Sequence, residues 1–151
     1  MPVVTDSSKI YRPEELVEYF AEIIEESTLP FEYVAKYDEQ LTPGYPAIQI
    51  QPGVFDEEPH GTHTRLITLR AFIYIMHAKL TLDRRTRTLE DLVLATQTKY
   101  FLEEDVTLGG RIIHGFVDND SPAAFPPRAR KGDAVVGTRM TWTGAQEIRW
   151  R

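Results

Sequence analysis

The chain lacks cysteine, which excludes disulfides, thiolate metal sites and a cysteine nucleophile. It also lacks an uninterrupted run of about 18 apolar residues, so no membrane-spanning helix is expected. The amino-terminal sequence MPVVTDSSKIYRPEE does not have the charged and then apolar pattern of a signal peptide. These absences favour a protein that is cytoplasmic or is assembled in the cytoplasm.

Catalytic and phosphate-binding motifs are also missing. The chain contains neither GxGxxG nor a GxxxxGK motif, and Ser121 does not lie in a GxSxG sequence. The paired carboxylates Glu57-Glu58, Glu90-Asp91 and Glu103-Glu104 fall on predicted loops or on a polar helix face. Solvation explains such pairs better than general acid–base catalysis does. We therefore expect no enzymatic activity, no catalytic residue and no cofactor.

Basic residues are fewer than acidic residues in this chain. The chain has 17 lysines and arginines against 23 aspartates and glutamates, a net charge of −6 and a pI near 5.2. This balance argues against a general nucleic-acid-binding protein, because such a protein needs a basic surface to replace phosphate counterions. The length of 151 residues with 42% hydrophobic residues predicts a single domain, 1–151, with a sizeable core. Within it, residues 1–11 are predicted as an N-terminal arm and residues 119–133 as a long loop.

The longest regular pattern is Thr64–His77, TRLITLRAFIYIMH, in which two kinds of position alternate. One face is apolar from Ile67 to Ile75. The other face is mixed and carries Arg70, Phe72, Tyr74 and Met76. A period of two with many β-branched and aromatic residues predicts a strand. Strands usually have about 5–6 residues, so one this long is expected at the centre of a sheet.

Two helices are predicted from spacing. Pro13–Ser27 has apolar residues at helical intervals and glutamates on the other side, which predicts an amphipathic helix lying on the sheet. The second helix is predicted at about Thr88–Leu102, after a charged connector, Lys79–Thr86, whose last residue is a possible N-cap. Its predicted buried stripe is Leu89, Leu92, Val93, Thr96 and Tyr100.

The remaining segments predict a sheet around the long strand. The further predicted strands are Phe31–Tyr37, Pro46–Gln51, Arg111–Asp118, Ala134–Thr143 and Gln146–Arg151. Residues 52–63 are predicted as a polar loop, Gly144-Ala145 as a turn or kink, and Gly115 as a bulge or a close backbone approach. This order predicts an α+β fold with a mainly antiparallel twisted sheet of about five strands, flanked by two helices.

Two histidines, His60 and His63, are the best candidates for metal ligands. They follow the acidic run Asp56-Glu57-Glu58, and two histidines three residues apart can chelate zinc. No third ligand has a defined spacing, so a solvated polar loop is the favoured interpretation. A small ligand-binding or metal-binding α+β domain remains an alternative function.

Candidate interface residues are charged or aromatic residues on predicted loops. The cluster Asp83-Arg84-Arg85-Thr86-Arg87 fits a salt-bridge patch against an acidic subunit or phosphate, and equally an exposed connector. Trp142 is assigned to the core. The full candidate set is Phe55, Glu57, Glu58, Arg84, Arg85, Arg87, Phe125, Arg128, Arg130 and Trp150.

The order of four segments resembles a known family. These are RLITLRAFIYIMH, TLEDLVLATQTKYFL, RIIHGFVDNDSP after a Gly-Gly turn, and AVVGTRMTWTG. Together they resemble the tail terminator and minor tail proteins of long, non-contractile-tailed bacteriophages, over roughly residues 10–145 at the level of element order and local texture.

The resemblance implies a function in virion assembly. It implies a homo-oligomer, a six-fold ring, that caps the completed tail tube near the neck of the virion. The partners would be the tail tube protein and a head-side connector or stopper protein, and DNA would pass through the ring without specific binding. The resemblance implies no enzyme activity and no cofactor. Another phage neck or head–tail completion protein is the nearest alternative.

Replacing both Arg84 and Arg85 by Glu should weaken assembly and leave the fold intact, because the sequence predicts both side chains to be exposed. Circular dichroism reports the fold, and capping of tail tubes reports assembly. An unfolded double mutant would contradict the prediction by showing that these side chains are buried.

Overall fold

The computed structural model describes residues 3–4, 6–37, 44, 46–78, 84–118 and 135–150. Within these residues, seven strands form one sheet and two helices pack on it. The elements are β1 (Val3–Val4), α1 (Pro13–Glu25), β2 (Tyr33–Lys36), β3 (Ala47–Pro52), β4 (Asp56–Pro59), β5 (Thr64–Ala78), α2 (Arg84–Leu102), β6 (His114–Asp118) and β7 (Val135–Trp150).

The sheet has the order β1-β7-β5-β3-β2, with β4 pairing with β5 and β6 pairing with β7. Strand β2 runs parallel to β3, and the other described pairs are antiparallel. The predicted α+β class, with a mainly antiparallel sheet and two flanking helices, is confirmed. The two additional strands, β1 and β4, are too short to produce a recognisable period in the sequence.

Strand β5 occupies the predicted central position, between β3 and β7. It pairs with β7 over its whole length, with Ile73 opposite Met140 and Ala71 opposite Trp142. The positions from Ile67 to Ile75 that point to one face are 0–2% exposed. The alternation in the sequence therefore reflects one face that is fully buried under the helices.

The predicted turn at Gly144-Ala145 is wrong, because β7 continues without a break from Val135 to Trp150. Gly144 has a different role, which it shares with Gly115 directly opposite on β6. A Cβ atom on Gly115 would lie 2.1 Å from Cζ2 of Trp142, and one on Gly144 would lie 2.2 Å from Cη2. The two glycines therefore make room for the buried indole, and the predicted close approach at Gly115 is confirmed.

Helix α1 packs on the sheet against this tryptophan. Phe20 of α1 meets Trp142 edge to face, with ring centroids 5.2 Å apart. Pro13 occupies the first turn, where its missing N–H costs nothing. The helix ends at Glu25, two residues before the predicted end, and the Ser27 hydroxyl donates a hydrogen bond to the Ile24 carbonyl at 2.6 Å. The predicted amphipathic helix on the sheet is confirmed.

Two other predicted segments differ in the structure. Residues 52–63, predicted as a loop, contain β4, which is an edge strand with every residue exposed. Helix α2 begins at Arg84, so Thr86 lies inside its first turns and is not an N-cap. The cluster from Arg84 to Arg87 is therefore part of a helix and not a connector.

The N-terminal arm is anchored to the sheet in its described part. Val3 and Val4 pair with Arg149 and Trp150. Further along, Gln146 Nε2 donates hydrogen bonds to the carbonyl oxygens of Ile10 and Arg111, at 2.9 and 2.6 Å. Ile10 is 5% exposed and belongs to the core.

Substitution of Gly115 by Ala should destabilise the fold by about 1–3 kcal/mol, because the new methyl group overlaps the indole of Trp142. Chemical denaturation measures this change. Trp142→Phe removes the ring atoms that clash, so Gly115→Ala should cost less in the Trp142→Phe background than in wild type. Equal costs in both backgrounds would contradict the proposed fit between the glycine and the ring.

Candidate subunit interfaces

Helix α2 exposes the side that the sequence predicts to be buried. Leu89 is 54% exposed, Val93 59% and Tyr100 65%. The prediction of this stripe as the core side is wrong. The side chains that face the core are Leu94, Ala95, Thr98 and Leu102.

Both sides of α2 carry residues at helical spacing, and the buried side combines two leucines with two smaller residues. Ala95 and Thr98 are compact, and a helix can approach a sheet closely through such residues. The Thr98 hydroxyl is satisfied because it donates to the Leu94 carbonyl at 2.8 Å. The other side of α2 leaves four apolar side chains exposed, and exposed apolar surfaces can mark interaction sites: Leu89, Leu92, Val93 and Tyr100.

A second exposed apolar surface lies at the β4 edge of the sheet. Val54 is 71% exposed and Phe55 is 44% exposed. Phe55 and Glu57 line a groove of about 530 Å³ between β4, the N-terminal arm and the start of α1. The groove is lined by Asp6, Ser7, Lys9, Tyr11, Arg12, Glu15, Phe55, Glu57, Ile67 and Ile148.

Ion pairs link the acidic strand β4 to β5, with which it also pairs through the backbone. Arg70 Nη1 lies 2.8 Å from Asp56 Oδ2 and also donates to the Val54 carbonyl at 3.1 Å. Arg65 Nη1 lies 3.7 Å from Glu57 Oε2. The candidate residue Glu58 is exposed on the same strand. Since two of the three carboxylates are paired, the charge of this edge is largely compensated.

A third exposed apolar surface lies at the β6 edge, which is the edge of the sheet opposite to β4. Ile113 is 46% exposed and Phe116 is 47% exposed. The ring of His114 packs edge to face on that of Phe116, with centroids 5.4 Å apart. The sequence predicts Arg111–Asp118 only as a strand, and that prediction does not single out Ile113 or Phe116 as exposed. The alternation in HGFVD, which exposes His114, Phe116 and Asp118, is the signal that was available.

The turn after α2 is held by Asp105. Its carboxylate accepts hydrogen bonds from the Thr107 hydroxyl at 2.7 Å and from the Gly109 amide at 2.7 Å. The Thr107 hydroxyl first, and then the Gly109 and Thr107 amides, lower the pKa of Asp105 below its ordinary value. The acid at this end of α2 therefore remains ionised at neutral pH.

The remaining predicted residues do not form a site within the described chain. His60 and His63 lie in the exposed turn between β4 and β5. Among the described residues, no group of three or more histidine, aspartate or glutamate side chains is arranged to hold a metal ion. Phe125, Arg128 and Arg130 lie outside the described residues. For Arg84, Arg85, Arg87 and Trp150, only the backbone is described, in α2 and at the end of β7.

No protein-family model matches the chain, and no curated protein is significantly similar to it. Neither helix in the described residues is long and apolar enough to cross a membrane.

Replacement of a leucine by alanine should have a large effect on stability on the buried side of α2 and a small effect on its exposed side. Leu94→Ala should destabilise the fold by about 2–5 kcal/mol, because Leu94 is 4% exposed and its removal leaves a cavity. Leu89→Ala should change stability by no more than about 0.5 kcal/mol, because this side chain is half exposed. Denaturant titration at low protein concentration measures both. Equal losses would show that both sides of α2 are covered within the chain.

Proposed function

We propose that this chain is a bacteriophage tail terminator, a structural protein that forms a ring on the completed tail tube. Two arguments support the proposal: the resemblance of the sequence to that family and one structural observation. The observation is that apolar side chains are exposed at opposite edges of one sheet. Val54 and Phe55 lie beside β4 at one edge, and Ile113 and Phe116 lie at the β6 edge.

A ring requires two different surfaces on each subunit. In a head-to-tail contact, one surface of a subunit meets a different surface of the next, and the ring closes when the rotation between neighbours allows it. Exposed apolar surfaces at opposite edges of a sheet suit such a contact. The long pair β5 and β7 lies between the two edges and would hold them at a constant separation.

Apolar contact is expected to provide most of the affinity at these edges. Asp56 and Glu57 at the β4 edge already pair with Arg70 and Arg65. These side chains are between 32% and 66% exposed, and ion pairs that solvent reaches contribute little energy. Phe55 and Phe116 are therefore the expected anchors, since aromatic residues are over-represented among residues that dominate binding.

The overall charge fits a ring through which DNA passes. A net charge of −6 disfavours adhesion to phosphates, so the proposed ring would let DNA through without specific binding. The proposed partners are the tail tube protein on one side and a head-side connector or stopper protein on the other. In this role the chain carries out no chemistry and needs no cofactor.

Electron microscopy of tail tubes mixed with the purified protein tests the proposal. We expect the wild-type protein to cap tube ends. Phe55→Asp and Phe116→Asp should each reduce the fraction of capped ends about tenfold or more, since each places a charge in the contact. Circular dichroism should show both variants folded.

The control is Glu22→Gln, a neutral change at an exposed position on α1, which should cap tubes as well as wild type. A wild-type protein that binds the head-side connector and ignores tubes would overturn the proposal in favour of another neck protein. Normal capping by both aspartate variants would show that the sheet edges are not the contacts.

A further inference from the structure

The exposed stripe on α2 has the spacing of a surface that packs on another helix. Its members Leu89, Val93, Thr96 and Tyr100 follow each other at intervals of three and four residues, and Leu92 flanks them. Such intervals place side chains in one continuous strip. The Thr96 hydroxyl donates to the Leu92 carbonyl at 2.9 Å, so it adds no unsatisfied polar group to the strip.

The start of α2 is unusually basic for the beginning of a helix. Arg84, Arg85 and Arg87 lie in its first turns, and the first turn contains no acidic residue. The aligned peptide dipoles make this end of a helix positive. Arginine at this end interacts unfavourably with the helix dipole, and an acidic partner would offset that interaction.

The end of α2 has the opposite imbalance. Glu103, Glu104 and Asp105 follow the helix, where its dipole is negative. Lys99 lies 3.7 Å from Glu103 and offsets one of these charges. Glu104 and Asp105 are exposed, so a basic partner would relieve this end in the same way.

A second copy of α2 that packs antiparallel would place its acidic end beside the basic start of the first copy, and its basic start beside the acidic end. When Leu89 lies opposite Tyr100 of the other copy, Val93 lies opposite Thr96 and Arg85 opposite Glu104. The same register therefore aligns the apolar strip with itself and the basic start with the acidic end. A parallel arrangement would bring like charges together at both ends.

We propose that the free protein forms a two-fold symmetric dimer in which the α2 helices of two copies pack antiparallel through Leu89, Val93 and Tyr100. The contact is isologous, because the same surface is used on both copies. It does not rest on the tail-terminator proposal, since the ring would use the two edges of the sheet. Pairing of the free chain and capping of tubes are separate measurements, so either can fail alone.

Sedimentation equilibrium with a matched pair of variants tests whether the stripe is the contact. Val93→Asp should weaken dimerisation about tenfold or more, because it places a charge at the centre of the strip. Thr28→Asp, which adds the same charge at an exposed position after α1, should dimerise like wild type.

Three results, two from sedimentation and one from thermal unfolding, would overturn the proposal. The first is a wild-type protein that stays monomeric at all concentrations. The second is normal dimerisation of Val93→Asp. The third is a marked fall in the unfolding temperature of monomeric Val93→Asp, which would show that the stripe is covered within its own chain.

Exchange of charges tests the antiparallel register. Arg85→Glu or Glu104→Arg alone should weaken the dimer at low salt, since each puts like charges opposite one another. The double variant should dimerise more tightly than either single variant, and added salt should reduce the difference because it screens exposed charges. A double variant that is weaker than both would contradict the pairing of these two residues.

The absence of cysteine allows a direct test of direction. A mixture of the Leu89→Cys and Tyr100→Cys chains should form a cross-linked heterodimer on mild oxidation, because these positions face each other. Leu89→Cys alone should not cross-link, because the two copies of residue 89 would lie about 16 Å apart along the helix axis. Efficient cross-linking of Leu89→Cys alone would overturn the antiparallel arrangement.

Discussion

The structure depends on the pairing of β5 with β7 over the full length of β5. The register runs from Thr64 opposite Arg149 to Ala78 opposite Val135. Strands β1, β3, β4 and β6 each pair with one of these two strands, and β2 joins through β3. A shift of the register by one residue would move the buried isoleucines of β5 to the opposite face. The hydrophobic effect therefore holds the register, and the register positions every other strand.

Trp142 shows how this pairing organises the core. Its ring lies over Gly115 of β6 and Gly144 of β7 and meets Phe20 of α1. Three elements therefore share one buried side chain. Within the described residues, its Nε1 is a buried side-chain nitrogen without a hydrogen-bond partner. The cost of that unpaired donor, about 1–3 kcal/mol, is offset by the large apolar area that the ring buries.

Some apolar side chains of this chain are not buried in its core and lie on its surface. Two sheet edges and the outer side of α2 carry apolar side chains that contribute little to folding of the single chain. Contacts with other chains would bury them. The edges lie at opposite sides of the sheet and suit a head-to-tail contact, whereas the α2 stripe with its reversed charges suits a copy of itself. These are separate surfaces, so one subunit has room for both kinds of contact.

Local sequence patterns were enough to predict the fold class, the central strand, helix α1 and the core position of Trp142. In each case a strong local pattern agrees with the tertiary contacts. The alternation of Thr64–His77 has one wholly apolar face, and α1 has one apolar side, so only one orientation buries them. The acidic composition and the lack of catalytic motifs likewise follow from the residues alone.

Contacts in the folded chain were needed to establish which side of α2 is buried, that β7 continues through Gly144, and that β4 is a strand. Helix α2 has two candidate apolar sides, and the fold buries the one with Leu94, Ala95 and Leu102. Gly144 is predicted as a turn from the local sequence, but in the structure it is a strand residue without a side chain because the ring of Trp142 occupies that space. Strand β4 is polar and short, and it is recognised as a strand only by its backbone pairing with β5. These features depend on contacts between distant residues, which local sequence patterns do not record.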